Sequence, residues 1–170
     1  MTDAPGLRVG LGFDVHAFGG DGPLVLGGVA IPGGPGLVGH SDADVATHAV
    51  ADSLLGPAGL PDLGTLFPAS DDQWRDASSI ALLESVVERI TGAGWSVANV
   101  DLVVAAERPK LAPHIETMAA NLSAAAGAPV SVTPKHAEGV GAVGRGEGIA
   151  AWAVALLTAQ SPGSQSSGAR

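Results

Sequence analysis

Cysteine and tyrosine are both missing from this 170-residue chain, and aromatic residues make up only 4% of it. Without cysteine there is no disulfide framework, no thiolate zinc site and no thiol nucleophile. Positive charge is scarce as well. Lys and Arg total 8 against 17 Asp and Glu, and only Lys110 and Lys135 are lysines. So acidic a chain, with so few rings, is poorly equipped to grip nucleic-acid phosphates or stack bases, and no nucleic-acid partner is expected. Apolar runs of membrane-spanning length are missing too. The mean hydropathy of +0.32 therefore reflects the Ala, Val and Leu of a core, and no membrane partner is expected. Met1 to Gly6 shows neither a signal nor a transit pattern, so a cytoplasmic protein is expected.

What is present is unevenly placed. Residues 1–72 carry nine acids and a single base, Arg8, whereas residues 73–170 carry eight acids and seven bases. His16, His40 and His48 lie in the acidic part. Length and composition divide the chain into one domain over 1–160 and a Ser/Gly/Pro-rich, disordered tail over 161–170.

Periodicity sketches the elements. Leu7 to Phe13 reads as a strand ending at Asp14-Val15-His16, and Leu24 to Ile31 as a second strand broken by Gly27-Gly28. A helix is expected from a Ser41 cap to a stop at Gly56-Pro57, followed by an irregular loop over Leu60 to Gln73. Ser78 or Ser79 caps a second helix with an Ile80, Leu83, Val87, Ile90 stripe, ended by Gly92 and Gly94. A strand over Val97 to Ala106 precedes a third helix, with Pro113 in its first turn and Gly127 after it. Val130 to Lys135 reads as the last strand, and the Ala-rich Ile149 to Ala159 as a final helix. Strands and helices mix without strict alternation, which predicts an α+β domain, a sheet with helices packed on it.

Four constellations carry chemistry. Asp14 and His16, two apart on a strand, point to one side, and His48 arrives from the first helix. Two imidazoles and a carboxylate suit zinc with an open fourth position, and a surface Asp–His pair beside a locally bonded histidine is the other reading. His40-Ser41-Asp42-Ala43-Asp44 reads either as a helix cap or as a phosphate-facing helix start. Gly139-Val140-Gly141-Ala142-Val143-Gly144 spells a dinucleotide fingerprint, but no acid follows at ribose-binding distance. Its glycines instead present Glu138, Arg145 and Glu147 to a ligand or a partner subunit. Arg108-Pro109-Lys110 offers two of the scarce bases, either to a phosphate or base edge or simply to solvent. Neither Ser-His-Asp spacing nor a Walker-type loop appears.

Taken in order, Gly12-Phe13-Asp14-Val15-His16, Gly39-His40-Ser41-Asp42-Ala43-Asp44-Val45-Ala46-Thr47-His48 and Asp62-Leu63-Gly64-Thr65-Leu66-Phe67-Pro68 resemble the motifs of the 2-C-methyl-D-erythritol 2,4-cyclodiphosphate synthase family. Asn99-Val100-Asp101, Arg108-Pro109-Lys110 and Gly144-Arg145-Gly146-Glu147-Gly148-Ile149-Ala150 continue the likeness, which covers roughly Arg8 to Thr158. The resemblance implies an enzyme of non-mevalonate isoprenoid synthesis. It would convert 4-diphosphocytidyl-2-C-methyl-D-erythritol 2-phosphate to the 2,4-cyclodiphosphate plus CMP, as a phosphorus–oxygen lyase. It also implies a homotrimer with sites at subunit interfaces, a zinc ion, and a second divalent cation, Mg2+ or Mn2+.

Carried over by position, Asp14, His16 and His48 would hold zinc and Glu138 the second cation. His40 and Ser41 would meet the substrate phosphate, and Asp14 and His16 would also bind substrate. Asp62, Leu63 and Gly64 would meet the methylerythritol. Phe67, Pro68, Ala69, Ser70 and Asp71 would line the same pocket, and Ala142 and Arg145 would contribute from the glycine loop. Ala106, Glu107, Arg108, Pro109, Lys110, Leu111 and Ala112 would hold the cytidine. One departure stands out. Lys135 and His136 occupy positions where the family usually carries threonines, one of which is assigned to transition-state stabilisation. With His40 they are the expected catalytic side chains, and they also flank the cytidine site. Leu11 replaces a common histidine. Two rival readings remain: a non-catalytic trimeric homologue that binds metal and nucleotide, and a different metal-dependent phosphoesterase.

Overall fold

The computed structural model describes residues 6–74 and 77–160, so the expected tail lies outside the described residues. In chain order the elements are β1 (Leu7–Gly20), β2 (Val25–Leu26), β3 (Val29–Ala30), β4 (Gly36–Leu37), α1 (Val45–Ala58), α2 (Leu63–Leu66), α3 (Ser79–Gly92), β5 (Trp95–Ala105), α4 (Ile115–Ala126), β6 (Val130–Lys135), α5 (Gly141–Gly144) and β7 (Gly148–Ala159). Five strands form one sheet in the order β4-β1-β7-β5-β6, antiparallel except for the β5–β6 pair, and β2 and β3 form a separate hairpin. The helices α1, α3 and α4 cover one face, which makes this the α+β sheet-and-helix domain expected.

The largest correction concerns the C-terminal element. Ile149 to Ala159 is not a helix but the central strand β7, paired with β1 on one side and β5 on the other. Its alanines favour a helix in isolation, yet the burial has a period of two. Ile149, Ala151, Ala153, Ala155 and Leu157 are buried, while Trp152 and Val154 face out. Tertiary pairing overrides propensity here, because a central strand satisfies its backbone on both edges and its small side chains admit α1 closely.

Other boundaries shift for local reasons. The first strand does not end at His16 but runs to Gly20, its last residues pairing with β4. Leu24 to Ile31 is a hairpin rather than one strand, since Gly27 and Gly28 both take positive φ. Pro57 sits inside the last turn of α1, and Gly59 in the left-handed conformation ends it. The loop over Leu60 to Gln73 contains α2, and the glycine loop contains α5.

Ser41 does not cap α1; Asp44 does. Its carboxylate is fully buried and accepts from Thr47 N at 3.0 Å, Thr47 Oγ1 at 2.7 Å, Gly27 N at 2.9 Å and Gly28 N at 2.7 Å. One side chain therefore joins the helix start to the β2–β3 turn. Burial pushes its carboxyl above the ordinary carboxylate range, against the downward pull of these bonds. Asp44→Ala strands several buried N–H groups and should cost about 2 kcal/mol or more, read as a lower denaturation midpoint.

Among the described residues the second face of the sheet is bare. Leu7, Val9, Leu11, Phe13 and Val15 of β1 and Trp152 and Val154 of β7 are exposed there, Val9 at 70% and Leu11 at 69%. Phe13 and Trp152, paired in register, pack as tilted rings with centroids 5.3 Å apart.

Candidate metal centre

Alternation along β1 sends the even-numbered residues toward the helices: Gly10, Gly12, Asp14 and His16 share that face. The two glycines decide what can sit over it. A Cβ at Gly12 would lie 1.9 Å from the Ala49 carbonyl oxygen, and one at Gly10 would lie 2.0 Å from that of Ser53. Backbone lies on backbone, so α1 is drawn onto the strand at the residue that follows His48. That close approach sets the His48 ring beside Asp14 and His16.

Asp14 Oδ2 lies 2.9 Å from His16 Nε2 and 3.0 Å from His48 Nδ1. The three ligand atoms fall within 4.8 Å of one another. His16 Nδ1 donates to the Val38 carbonyl at 2.6 Å, which leaves the lone pair of the neutral ring on Nε2, aimed inward. On the far side of its ring, His48 Nε2 meets Ser79 Oγ at 2.8 Å and Ser41 Oγ at 3.2 Å. Potential ligand atoms from three side chains thus converge on one point, an arrangement that suits a cation. A proton can stand in for it. Burial alone would push the Asp14 carboxyl up and the His16 imidazole down. The hydrogen bonds between them reverse both, holding Asp14 well below the carboxylate range and His16 above its ordinary value. The donor set, two imidazoles and a carboxylate with one side open, fits zinc.

The triad opens into a cavity of about 260 Å³ bordered also by His40, Ser41, Leu63, Gly64, Phe67 and Ala69, all expected site residues. His40 Nε2 is 3.3 Å from the Asp71 carbonyl oxygen, which ties the His40 loop to the segment after α2. Asp62 caps α2 through Thr65 N at 2.8 Å. The Thr65 bonds hold its carboxyl below the ordinary range. Pro68 and Ser70 do not border this cavity, nor do Asp62 and Asp71. Sequence reasoning missed Asp52, Trp74 and Leu82, which do. Asp52 had a signal, since it stands four residues after His48 on the same helix face. It accepts from Leu63 N at 2.9 Å and fixes the start of α2.

The expected cytidine residues form a second cleft of about 180 Å³. Ala106, Pro109, Lys110, Leu111 and Ala112 line it together with Pro134, Lys135 and His136. The Ala106 N–H donates to the Lys135 carbonyl at 3.0 Å, pinning the loop after β5 to the end of β6. Glu107 and Arg108 are not among its lining residues; Arg108 instead lies over Gly146. His16 and Lys135 stand at the same end of the sheet with β7 and β5 between them, three strand spacings or roughly 14 Å. A single chain therefore keeps the metal cavity and the cytidine cleft apart. Glu138 and Ala142 border neither, and Arg145 pairs with Glu147 at 2.6 Å on the surface.

Known proteins place this arrangement. The model of the YgbB family matches residues 7–158, nearly the whole described chain. This chain belongs to the YgbB family. It is 56% identical over 158 residues to the 2-C-methyl-D-erythritol 2,4-cyclodiphosphate synthase of Rubrobacter xylanophilus, covering 89% of this chain and 95% of that protein. The synthase of the same name from Salinibacter ruber is 52% identical, covering 89% and 98%. Among solved structures, the Plasmodium falciparum IspF in complex with CDP superposes with a TM-score of 0.79 at 30% identity, covering 94% of this chain and all of that one. The YgbB match includes both clefts and β7, the element whose sequence alone misleads.

Proposed function

We propose that this protein converts 4-diphosphocytidyl-2-C-methyl-D-erythritol 2-phosphate to 2-C-methyl-D-erythritol 2,4-cyclodiphosphate and CMP, a phosphorus–oxygen lyase reaction of isoprenoid synthesis. The observation that carries the reading is the convergence of Asp14, His16 and His48 at the floor of a cavity whose walls hold His40 and Ser41. In the reaction an oxygen of the 2-phosphate forms a bond to the β-phosphorus of the diphosphate. The bond from that phosphorus to the bridging oxygen breaks, and CMP departs with the oxygen. When bound, zinc on the triad and Mg2+ or Mn2+ at Glu138 supply Lewis-acid neutralisation of the two mutually repelling anions.

The protein's own groups do the rest. His40 and Ser41 orient the attacking phosphate, and Leu63, Gly64 and Phe67 enclose the methylerythritol and exclude water. The cleft from Ala106 to Ala112 holds the cytidine, and at its rim Lys135 supplies positive charge and His136 a ring N–H to the developing phosphate oxygens in place of a hydroxyl. Lys135→Ala and His136→Ala should each lower kcat, by about tenfold or more, and alter its pH profile. Unchanged turnover in both variants would remove these side chains from the mechanism.

The reading includes a homotrimer with sites at subunit interfaces. Two features support it. The apolar outer face of β1 and β7 is of a kind that association buries. The metal cavity and the cytidine cleft of one chain stand roughly 14 Å apart, a separation that a neighbouring copy's cleft would shorten. Incubation with the cytidyl substrate, zinc and Mg2+ should yield CMP and a cyclic diphosphate by 31P NMR, and chelation should stop both. Free phosphate would indicate another phosphoesterase. No product under any metal condition would leave only a binding homologue.

A further inference from the structure

We infer that Ser79 and Asp42 act as a positioning pair that holds the His48 proton on Nε2 and keeps Nδ1 open for the metal; this rests on the metal-centre reading. Neither residue belongs to the triad, and they come from distant parts of the chain. Ser79 is the first residue of α3 and is 1% exposed, while Asp42 lies in the loop before α1. The Asp42 backbone N–H donates to the Ala77 carbonyl at 3.2 Å, and its Oδ2 accepts the Ser79 backbone N–H at 3.0 Å. Ser78 makes no side-chain cap bond, so the Asp42 carboxylate takes that place at the start of α3.

The argument is a count of protons. A serine hydroxyl has one proton and two acceptor lone pairs. Ser79 Oγ touches Asp42 Oδ1 on one side and, at 2.8 Å, His48 Nε2 on the other. A carboxylate receiving the Ser79 N–H as well is acceptor only, so the hydroxyl proton goes to Asp42. The Ser79 oxygen then has only lone pairs to offer His48, and Nε2 must donate. A neutral imidazole that carries its proton on Nε2 has its lone pair on Nδ1, the atom that meets Asp14 Oδ2 at 3.0 Å. The ring is contested, because Asp14 would equally accept a proton from Nδ1 and so block that ligand atom. Ser79, polarised by Asp42, wins the proton to the outer side. Ser41 Oγ, at 3.2 Å, is the weaker acceptor.

The test removes one hydroxyl. In Ser79→Ala the Asp14 carboxylate becomes the strongest acceptor left to the ring. The zinc dissociation constant, measured by chelator competition, should rise by about 10- to 100-fold. In the metal-free protein, 15N NMR of the neutral His48 ring should show its proton moving from Nε2 toward Nδ1. The melting temperature of the metal-free variant should stay close to that of the parent, which separates positioning from loss of structure. Asp42→Asn keeps an acceptor for the hydroxyl without the charge and should give a smaller rise in the same direction, so the inference stays testable if Ser79→Ala does not fold. Zinc affinity within twofold of the parent in the folded variants, or an unchanged His48 tautomer, would overturn the inference. Failure of the parent to bind zinc would instead overturn the metal-centre reading, and the tautomer measurement would still decide the role of the pair.

Discussion

Gly12→Ala should dismantle the metal centre without touching a ligand. The added methyl would lie 1.9 Å from the Ala49 carbonyl oxygen and 2.6 Å from the Ser53 backbone nitrogen. Both neighbours are backbone of α1, so no side chain can rotate away and the helix itself must move outward. That costs about 3 kcal/mol, near the upper end of what overpacking exacts. It also carries His48 away from Asp14, since His48 precedes Ala49 on the same turn. Metal sites tolerate ligand displacements of only about 0.2 Å, so zinc affinity should fall on the order of 100-fold. Gly56→Ala is the internal control on the same helix. A Cβ there meets nothing within 4 Å outside its chain neighbours, and the change should leave zinc binding alone. Denaturant midpoints and zinc titrations on the pair decide the matter. Wild-type zinc affinity in Gly12→Ala would show that close approach of α1 is not what places His48.

Asp14→Asn should abolish turnover, with a loss of about a thousandfold or more in kcat/KM, and with it zinc binding. The carboxylate is the one anion of the triad, and both imidazoles point at its Oδ2. Its removal also changes how the metal-free protein responds to pH. In the parent, burial pulls His16 down, but the Asp14 hydrogen bond and charge outweigh it and raise the ring above 6.5. A raised imidazole contributes stability that is fully present below 6.5 and lost as pH rises through its folded value. The depressed Asp14 carboxyl contributes stability present above 3.8 and lost as pH falls through its own folded value. Melting temperature in chelator should therefore decline from mildly acidic toward alkaline pH in the parent. The decline should vanish in Asp14→Asn, where burial dominates His16. Zinc affinity in the parent runs the other way across the same window, because the metal must displace the proton from His16. A variant that kept the parent's melting profile would mean that His16 is not held by Asp14.

The ligands themselves are legible in the amino-acid order, since Asp14 and His16 lie two apart on a strand and His48 sits inside a helical pattern. The run Val130–Lys135 is legible too, because β-branched residues are bounded by Gly127 and the His136 loop. Asp52 is disguised by its ordinary place on a helix surface. Ser79 reads as a possible cap, yet its hydroxyl serves His48 and the cap bond comes from Asp42, 37 residues away.

Residue identity and spacing alone set the chemistry on offer: which side chains carry lone pairs, where acids concentrate, and which strand and helix present them. How these meet is a property of the folded chain. Whether Ile149–Ala159 is strand or helix depends on the two neighbours that pair with it, and local propensity cannot see them. The same holds for Gly10 and Gly12, which read as weak strand residues until α1 lies on them. The buried Asp44 and the Ser79–Asp42 pair likewise join segments far apart in the chain. Periodicity reports which face a residue occupies, but contact between distant segments is settled by packing, where a single Cβ is enough to forbid it.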